Sequence, residues 1–585
     1  VHYSPMRYVR MLSNSVFAGV LAAVYLSVLL LDLNPAVPLT LQTESALLTV
    51  TLLAYGLHIG VGSYALYVLR QIAISEPVSP GWISLRLLTW SAAALSGTAA
   101  VITWLHATGL RSSLEPGAVR TLTSTAALFA TTTAVFLVLG FAQIAARPRH
   151  RATVAVLFTV ATTVSIVGPL VLRGRGGIVT PPLRPVPTPH VEPVEGPRVV
   201  LLCLDGASLD MISPAVAAGR LPNFGRLLER GASMHLATTR PTQAEPVWTS
   251  VMTGMWPAHH GIRGAANYRL FNSNITLEVL PDYLFSQALL RYGLIQAQPH
   301  SSHSFRAQPL WRVAARYGVR TGLIGLPLTH PAESSSSGFI VSDRFRLRGD
   351  RSVLEAGPAV SPARLDDMAR TVDVADEPSL SSDSVRLDLM PGERGSSVDV
   401  DRVRHALARE LDATEHVRLL AVRYAGLDAV GHYYLRYAQP ESFGDVSEEE
   451  RRRFGRVLDD YYDYVDGLVG DAVAGLRRDD LLVVVSGFGM EAQTPGKRLL
   501  ERVIGDPRFS GTHERGPDGF LLAYGSAVAP ARQARGAVVD VAPTLLYFLG
   551  LPVARNMDGF ARTDIFTRDF NEQRTITFIP SYEVQ

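Results

Sequence analysis

The stretch RVVLLCLDGASLD at residues 198–210 decides the fold of most of the chain. Its unbroken apolar run ends at Asp205 and a glycine, which is typical of a strand buried on both faces of a parallel sheet. Asp205 would then stand at the carboxyl end of the strand. This is the edge of the sheet at which α/β proteins gather their ligand-binding groups.

Similar apolar runs recur downstream and alternate with helical patterns. The other predicted strands are residues 319–327, 417–425 and 480–487, and the predicted helices between them include 223–229, 309–317 and 448–477. Ser447 and Glu450 form a capping-box pattern at the start of the last helix. Strands alternating with helices predict an α/β domain with a parallel sheet covered on both faces.

The first third of the chain is a predicted membrane domain. Hydrophobic residues make up 47% of the sequence and charged residues only 18%, and the apolar excess lies before residue 173. Five apolar segments approach the roughly 20 residues that a membrane-spanning helix needs. They are residues 14–33, 46–69, 86–108, 121–145 and 152–172. The prediction is a transmembrane domain over 1–172 with five helices.

Arginine placement predicts the orientation of these helices. Arg7 and Arg10 precede the first span, and Arg147, Arg149 and Arg151 fill the fourth loop. The positive-inside rule places these segments in the cytoplasm. The sequence therefore predicts a multi-pass protein of the cell membrane, with the lipid bilayer as its partner and the domain after the fifth span outside the cytoplasm.

Composition limits the remaining partners and the covalent framework. The net charge of +2 gives no electrostatic case for nucleic acid binding. Cys203 is the single cysteine, which excludes an internal disulfide. Residues 173–198 are rich in proline, as in semi-rigid extended linkers, and the extracytoplasmic domain is predicted over 199–585. Residues from about 345 to 400 are rich in Ser, Asp, Pro and Gly, and predict a surface insertion.

Four polar residues at the ends of predicted strands are candidate metal ligands. Asp428 and His432 flank a glycine that lets both side chains point at one cation, and a carboxylate with an imidazole suits zinc or manganese. An exposed aspartate beside a packed histidine is an equally good interpretation of this stretch. Asp205 either binds a metal or caps the following turn. His513 lies in a polar loop, where a lone histidine is more often simply exposed.

These positions, in this order, resemble the alkaline phosphatase superfamily, and within it the type I phosphodiesterase/nucleotide pyrophosphatase branch. Three further motifs carry the resemblance: LPNFGRLLERGA (221–232), TGMWPAHHGI (253–262) and DVAPTLLYFLGLP (540–552). The resemblance implies an alkaline-phosphatase-like α/β sandwich with a mostly parallel central sheet, here preceded by an all-α five-helix transmembrane domain. The layout also resembles that of lipid-dependent phosphoethanolamine and phosphoglycerol transferases.

The resemblance implies two metals that clamp the oxygens of an in-line displacement at phosphorus. Asp428, His432 and His513 match all three protein ligands of one metal. Asp205 matches the first-strand aspartate of the other metal site.

The rest of that second half-site is absent from the sequence. Gly487 and Phe488 stand where the resemblance implies an Asp-His ligand pair, and Ala244 stands at the position of the Thr or Ser nucleophile. The losses fall on one functional unit, because the second metal serves chiefly to activate that nucleophile. The expected cofactor is therefore at most one divalent metal, with zinc as the expected ion.

Three neighbouring residues are substitute candidates for the missing groups. Thr242 offers a hydroxyl two residues before Ala244, although a turn residue after proline is the simpler interpretation. Glu245 offers a carboxylate, which is also favourable in the first turn of a helix. Asn267 lies two residues after Ala265, the position that the resemblance assigns to a phosphate-binding asparagine.

The leading hypothesis is a membrane-anchored phosphodiesterase-like protein that has lost two-metal hydrolysis. It would act as a binding or structural component, recognising a phosphorylated lipid or glycan or docking to other membrane-protein subunits. One alternative is a one-metal phosphodiesterase or phosphatase that uses a metal-bound water. Another is a phosphoethanolamine- or phosphoglycerol-type transferase acting on lipid or glycan head groups, for which Ala244 leaves no nucleophile.

Overall fold

The structure is a computed structural model that describes residues 6–74, 81–145, 151–177, 192–281, 289–334, 338–345, 357–373 and 392–583. The chain divides into two compact units. Unit 1 comprises Val1–Thr180 with Ala266–Gln298, and unit 2 comprises Pro181–Ala265 with Pro299–Gln585. A segment from inside the predicted second domain thus packs with the N-terminal helices.

Unit 1 is built on long apolar helices. They are α1 (Met6–Leu33), α2 (Leu41–Thr51), α3 (Leu57–Ile74), α4 (Leu85–Gly109), α5 (Pro116–Ala145) and α6 (Arg151–Arg173). One π-helical turn, Leu52–Gly56, joins α2 to α3 into a single long segment. Among its described residues, the unit therefore has five helices long and apolar enough to cross a membrane, which confirms the five predicted segments.

Small residues let α1 and the second segment approach closely. A Cβ atom on Gly19 would lie 2.3 Å from the carbonyl oxygen of Gly56, and one on Gly56 would lie 2.9 Å from that of Gly19. Neither position accepts a side chain without a shift of backbone. Such glycine contacts are typical of helix packing in lipid, where close van der Waals contact replaces the hydrophobic effect.

The inserted segment of unit 1 forms a small sheet with the strand order β4-β3-β5, in which β3 and β4 are antiparallel. Its strands are β3 (Ala266–Leu270), β4 (Thr276–Leu277) and β5 (Ile295–Pro299). Asn34, just after α1, fixes this sheet: its side chain donates to the carbonyl of Val279 at 2.8 Å and accepts from the amides of Glu278 and Val279. The amide side chain satisfies backbone groups that would otherwise be buried unpaired.

Unit 2 contains, in its described part, a nine-stranded sheet with the order β14-β2-β13-β10-β1-β9-β6-β7-β8. In this sheet β13 and β8 run against the other strands. The strands are β1 (Val199–Leu204), β2 (Ala232–Ala237), β6 (Thr321–Ile324), β7 (Gly338–Val341), β8 (Val360–Ser361), β9 (Leu419–Tyr424), β10 (Leu481–Phe488), β13 (Asp518–Tyr524) and β14 (Arg532–Ala537). The predicted α/β class with a mostly parallel sheet is confirmed.

Helices cover both faces of this sheet. The main ones are α7 (Leu209–Ala217), α8 (Pro222–Arg230), α9 (Ala244–Thr253), α10 (Pro257–His260), α11 (Leu310–Arg316), α12 (Asp366–Thr371), α13 (Gly392–Glu415), α14 (Gly426–Ala438), α15 (Glu448–Phe454), α16 (Val457–Ala474), α17 (Pro495–Ile504), α18 (Val541–Leu549) and α19 (Arg568–Gln573). Alternate residues of β1 enter two separate cores, with Leu202 in one and Cys203 in the other. This two-sided burial explains why β1 is apolar throughout.

Two predictions about unit 2 need correction. The predicted helix 448–477 is two helices, α15 and α16, which break at Gly455, while the Ser447–Glu450 capping box is present. The predicted insertion at 345–400 is partly regular, because β8 pairs with the sheet edge and α12 and α13 follow. Residues 346–356 and 374–391 of that insertion, and residues 178–191 of the predicted linker, lie outside the described residues.

Candidate metal centre

Helix α14 starts directly after β9 and carries two of the candidate ligands. Asp428 and His432 are four residues apart, so they lie on one face of the helix. Asp401, from α13, holds the start of α14: its carboxylate accepts from the backbone amides of Ala425 at 3.0 Å and Gly426 at 2.7 Å. A carboxylate at a helix N-terminus satisfies amides that have no intrahelical partner.

His513 completes a three-residue cluster from another part of the chain. It follows the short strand β12 (Gly511–Thr512), which pairs with β11 (Glu491–Ala492). Nε2 of His432 lies 3.5 Å from Oδ2 of Asp428, and Nε2 of His513 lies 3.8 Å from Oδ1. The three potential ligand atoms are all within 4.8 Å of one another. One ion with bonds of about 2.1 Å can reach all three with small side-chain movements.

Backbone carbonyls fix the tautomer of both histidines. Nδ1 of His432 donates to the carbonyl of Gly511 at 2.9 Å, and Nδ1 of His513 donates to that of Thr242 at 2.8 Å. A carbonyl oxygen only accepts, so Nδ1 carries the proton and Nε2 faces the carboxylate of Asp428. This arrangement of an oriented histidine is typical of metal sites.

The carboxylate of Asp428 and the imidazole of His513 are in states suited to binding a cation. Oδ1 of Asp428 is buried and accepts no hydrogen bond from any described residue. Burial opposes ionisation of Asp428, but the nearby His432, His513 and Arg423 outweigh it and hold the pKa of this carboxyl well below its usual range. Burial also lowers the pKa of His513, which favours the neutral ring that binds metals. The residues present therefore fit one divalent metal.

Asp205 does not join this cluster, because protein donors surround its carboxylate. Nε of Arg423 donates to both oxygens, at 3.1 and 3.0 Å, Nη2 of Arg423 donates to Oδ2, and Nε1 of Trp248 donates to Oδ1 at 2.6 Å. The side chain of Asp205 is only 2% exposed. Sequence reasoning missed both partners, although an arginine inside the apolar run LLAVRY (419–424) was a visible signal.

The carboxyl end of β10 offers no metal ligand. Phe488 is fully buried, and its ring centroid lies 4.9 Å from that of His513. A Cβ atom on Gly487 would lie 2.3 Å from Cγ1 of Val247, so the local packing is closed to a side chain. Asp205 with its arginine, Gly487 and Phe488 do not fit a second metal.

Ala244 is the first residue of α9, and its neighbours do not supply an obvious nucleophile. The hydroxyl of Thr242 is fully buried and donates to the carbonyl of Thr239 at 2.9 Å. Glu245 follows Ala244 in the first turn of α9, where burial raises the pKa of its carboxyl to about 7. Glu245 is thus divided between its acid and base forms near neutral pH.

Asn267, the candidate phosphate-binding residue, lies on β3 of unit 1. The metal cluster lies in unit 2. The role predicted for Asn267 stays a prediction.

The fold and the site together are a largely parallel α/β sheet and an Asp-His-His cluster that could hold a metal ion. Residues 199–530 match the family model for type I phosphodiesterase/nucleotide pyrophosphatase, and the chain belongs to this family. The members of this family depend on metals, and among the described residues of this chain Asp428, His432 and His513 form a cluster that could hold one.

The solved structures similar to this chain include ectonucleotide pyrophosphatase/phosphodiesterase 5 from two mammals. The murine protein, in an inactive form in complex with AMP, is 13% identical with a TM-score of 0.39, and the match covers 64% of this chain and 100% of that one. The human protein is 15% identical with a TM-score of 0.38, covering 63% and 100%. No curated protein matches the chain.

Proposed function

We propose that this protein is a membrane-anchored phosphodiesterase relative that binds a phosphorylated group through one divalent metal and does not hydrolyse it by the two-metal route. One observation carries the proposal: Asp428, His432 and His513 form a complete ligand set, whereas Ala244 has no hydroxyl to attack phosphorus. Zinc suits this set of one carboxylate and two imidazoles. Three protein ligands leave one tetrahedral position open for a phosphate oxygen.

The expected setting is the outer face of the cell membrane, with the N-terminus in the cytoplasm and unit 2 outside. The ligands would then be head groups of phosphorylated lipids or glycans, and other membrane-protein subunits would be the docking partners. The five apolar helices of unit 1 support membrane insertion. The arginine distribution supports the orientation.

The test is metal-dependent binding without turnover. Full-length protein in detergent, loaded with zinc, is titrated with inorganic phosphate and with AMP, before and after chelation, and then incubated with bis(p-nitrophenyl) phosphate. We expect binding that chelation and His432→Ala abolish, and no zinc-dependent release of nitrophenol. His235→Ala, which alters an exposed histidine on β2, is the matched control and should bind normally.

Glu245 favours a second candidate function, a one-metal hydrolase. When bound, the metal supplies a water of lowered pKa as the nucleophile. Glu245, with a pKa raised to about 7, has the proton affinity expected of a general base at neutral pH. Zinc-dependent cleavage of the phosphodiester that both His432→Ala and Glu245→Gln abolish would establish this function and overturn the binding-only proposal.

A further inference from the structure

The carboxylate of Asp205 is neutralised by a cation that belongs to the chain itself. Arg423 donates to both of its oxygens, and Trp248 donates to Oδ1. A buried carboxylate with this set of charge-assisted hydrogen bonds has no need of a metal. It is also a poor metal ligand, since a metal would have to displace the guanidinium.

Strand register explains how Arg423 reaches this position. β9 and β1 are parallel neighbours in which Arg423 pairs with Cys203, and Asp205 follows Cys203 by two residues on the same face. An arginine within a buried strand is costly unless it is paired. Here Asp205 supplies the charge partner, so each of the two charges is compensated by the other.

The ion pair lies beside the metal cluster. A Cβ atom on Gly206, the residue after Asp205, would lie 2.9 Å from Cα of Asp428, so the two segments are in direct contact. Arg404 packs behind the arginine and donates to its backbone carbonyl at 3.1 Å, and is itself paired with Asp401.

The Nη1 side of the Arg423 guanidinium remains available for a hydrogen bond to a ligand. Nε and Nη2 of Arg423 are used by Asp205, whereas no described residue accepts a hydrogen bond from Nη1. The side chain keeps 15% of its surface exposed although it lies at the end of a buried strand. A guanidinium fork with one edge anchored and one edge free is well suited to a phosphate oxygen.

We infer that Arg423 has taken the electrostatic place of the second metal, and that Nη1 of Arg423 and the metal at Asp428, His432 and His513 bind one phosphate group together. The guanidinium supplies positive charge to the anion. It cannot coordinate and ionise a hydroxyl nucleophile as a metal does. The joint binding of phosphate, called the phosphate clause below, rests on the proposed function. The replacement of the second metal by Arg423, called the replacement clause, does not.

The phosphate clause is tested by calorimetric titration of zinc-loaded, full-length protein with inorganic phosphate. Arg423→Gln is expected to weaken binding roughly tenfold or more, the effect of a lost charged hydrogen bond, while zinc content stays unchanged. Asp205→Asn with Arg423→Gln removes both charges together, avoids leaving an unpaired buried carboxylate, and should give the same result. Equal affinity in wild type and the double variant would overturn this clause.

Arg198 offers a matched control. It lies just before β1, at the opposite end of the parallel strands, forms a similarly buried ion pair with Asp412, and its side chain is 13% exposed. Arg198→Gln should leave both phosphate affinity and zinc content unchanged. Loss of phosphate binding in this variant would show that any broken arginine pair has the same effect, and would overturn the assignment to Arg423.

The replacement clause is tested by zinc counting alone. Gly487→Asp and Phe488→His restore the missing ligand pair, with Val247→Ala to make room. We expect this triple variant to hold one zinc per chain while Arg423 is present, and two once Arg423→Met is added. Two zinc ions with Arg423 still present would overturn the clause. If zinc-loaded wild type does not bind phosphate, the proposed function and the phosphate clause are both overturned. The zinc count would still decide whether Arg423 replaces the second metal.

Discussion

The ring of Phe488 packs against the imidazole of His513, with centroids 4.9 Å apart and planes inclined by 46°. An apolar side chain thus occupies the position that the family resemblance assigns to a metal-binding histidine. It closes the second half-site and also braces a ligand of the first. Phe488 therefore contacts a residue of the metal cluster from the position where the resemblance implies a ligand of the second metal.

Phe488→Ala should weaken both the fold and the metal site. The fully buried ring fills space in the core, so its removal is expected to cost about 3 to 5 kcal/mol in the free energy of unfolding. His513 loses its support, and zinc affinity should fall in calorimetric titration. Phe548→Ala, an equally buried position on α18, should destabilise the protein without changing zinc affinity. Unchanged zinc affinity in Phe488→Ala would contradict the bracing role.

Asp401→Ala should destabilise unit 2 through the start of α14. Asp401 is fully buried, holds the first amides of the helix, accepts from Tyr461 at 2.9 Å and faces Arg404. Its removal leaves a buried arginine unpaired, and we expect a loss of about 3 to 5 kcal/mol in chemical unfolding. Asp459→Asn, at an exposed pair with Arg220, should change the stability by less than about 0.5 kcal/mol.

Glu245→Gln should change the pH dependence of stability. The pKa of this carboxyl rises from 4.5 to about 7 on folding, chiefly by burial. Between these values the folded chain keeps a proton that the unfolded chain has lost, so stability falls as the pH rises through this window. Relative to wild type, the variant should gain roughly 1 to 3 kcal/mol between pH 5 and pH 8.

Chemical unfolding at the two pH values measures this difference. Glu448→Gln, at a solvent-exposed position on α15, serves as the control and should show no such trend. A difference between Glu245→Gln and wild type that stays constant or shrinks with rising pH would contradict the burial of this carboxyl.

Cysteine labelling tests the orientation of unit 1. The native Cys203 is fully buried and gives an unreactive background. In intact cells, a membrane-impermeant thiol reagent should label Arg111→Cys, in the loop between α4 and α5. It should label Trp82→Cys, before α4, only after permeabilisation. The reverse pattern would place the N-terminus outside.

Much of unit 2 could be predicted because its strands are locally encoded. The apolar runs at 198–205 and 480–487 are strands within two residues of the predicted ends. Asp428 and His432 come together because a helix brings positions four apart onto one face. That His513 joins them was predicted only from the family resemblance. His513 and Asp428 are 85 residues apart in the chain, and local sequence patterns do not show that they come together.

The charge network around Asp205 could not be predicted in the same way. Its partners Arg423 and Trp248 depend on strand register and on the packing of α9 against the sheet. The anchoring of α14 by Asp401 is likewise a tertiary contact. A charged residue inside an apolar strand was the one local sign that such a network existed.

The central claim, one metal site retained and one replaced, is tested most directly by counting zinc in the full-length protein. Wild type and His432→Ala would be saturated with zinc, freed of excess ion and measured by elemental analysis. We predict one zinc per chain in wild type and none in His432→Ala. Two tightly held zinc ions per wild-type chain would contradict the account.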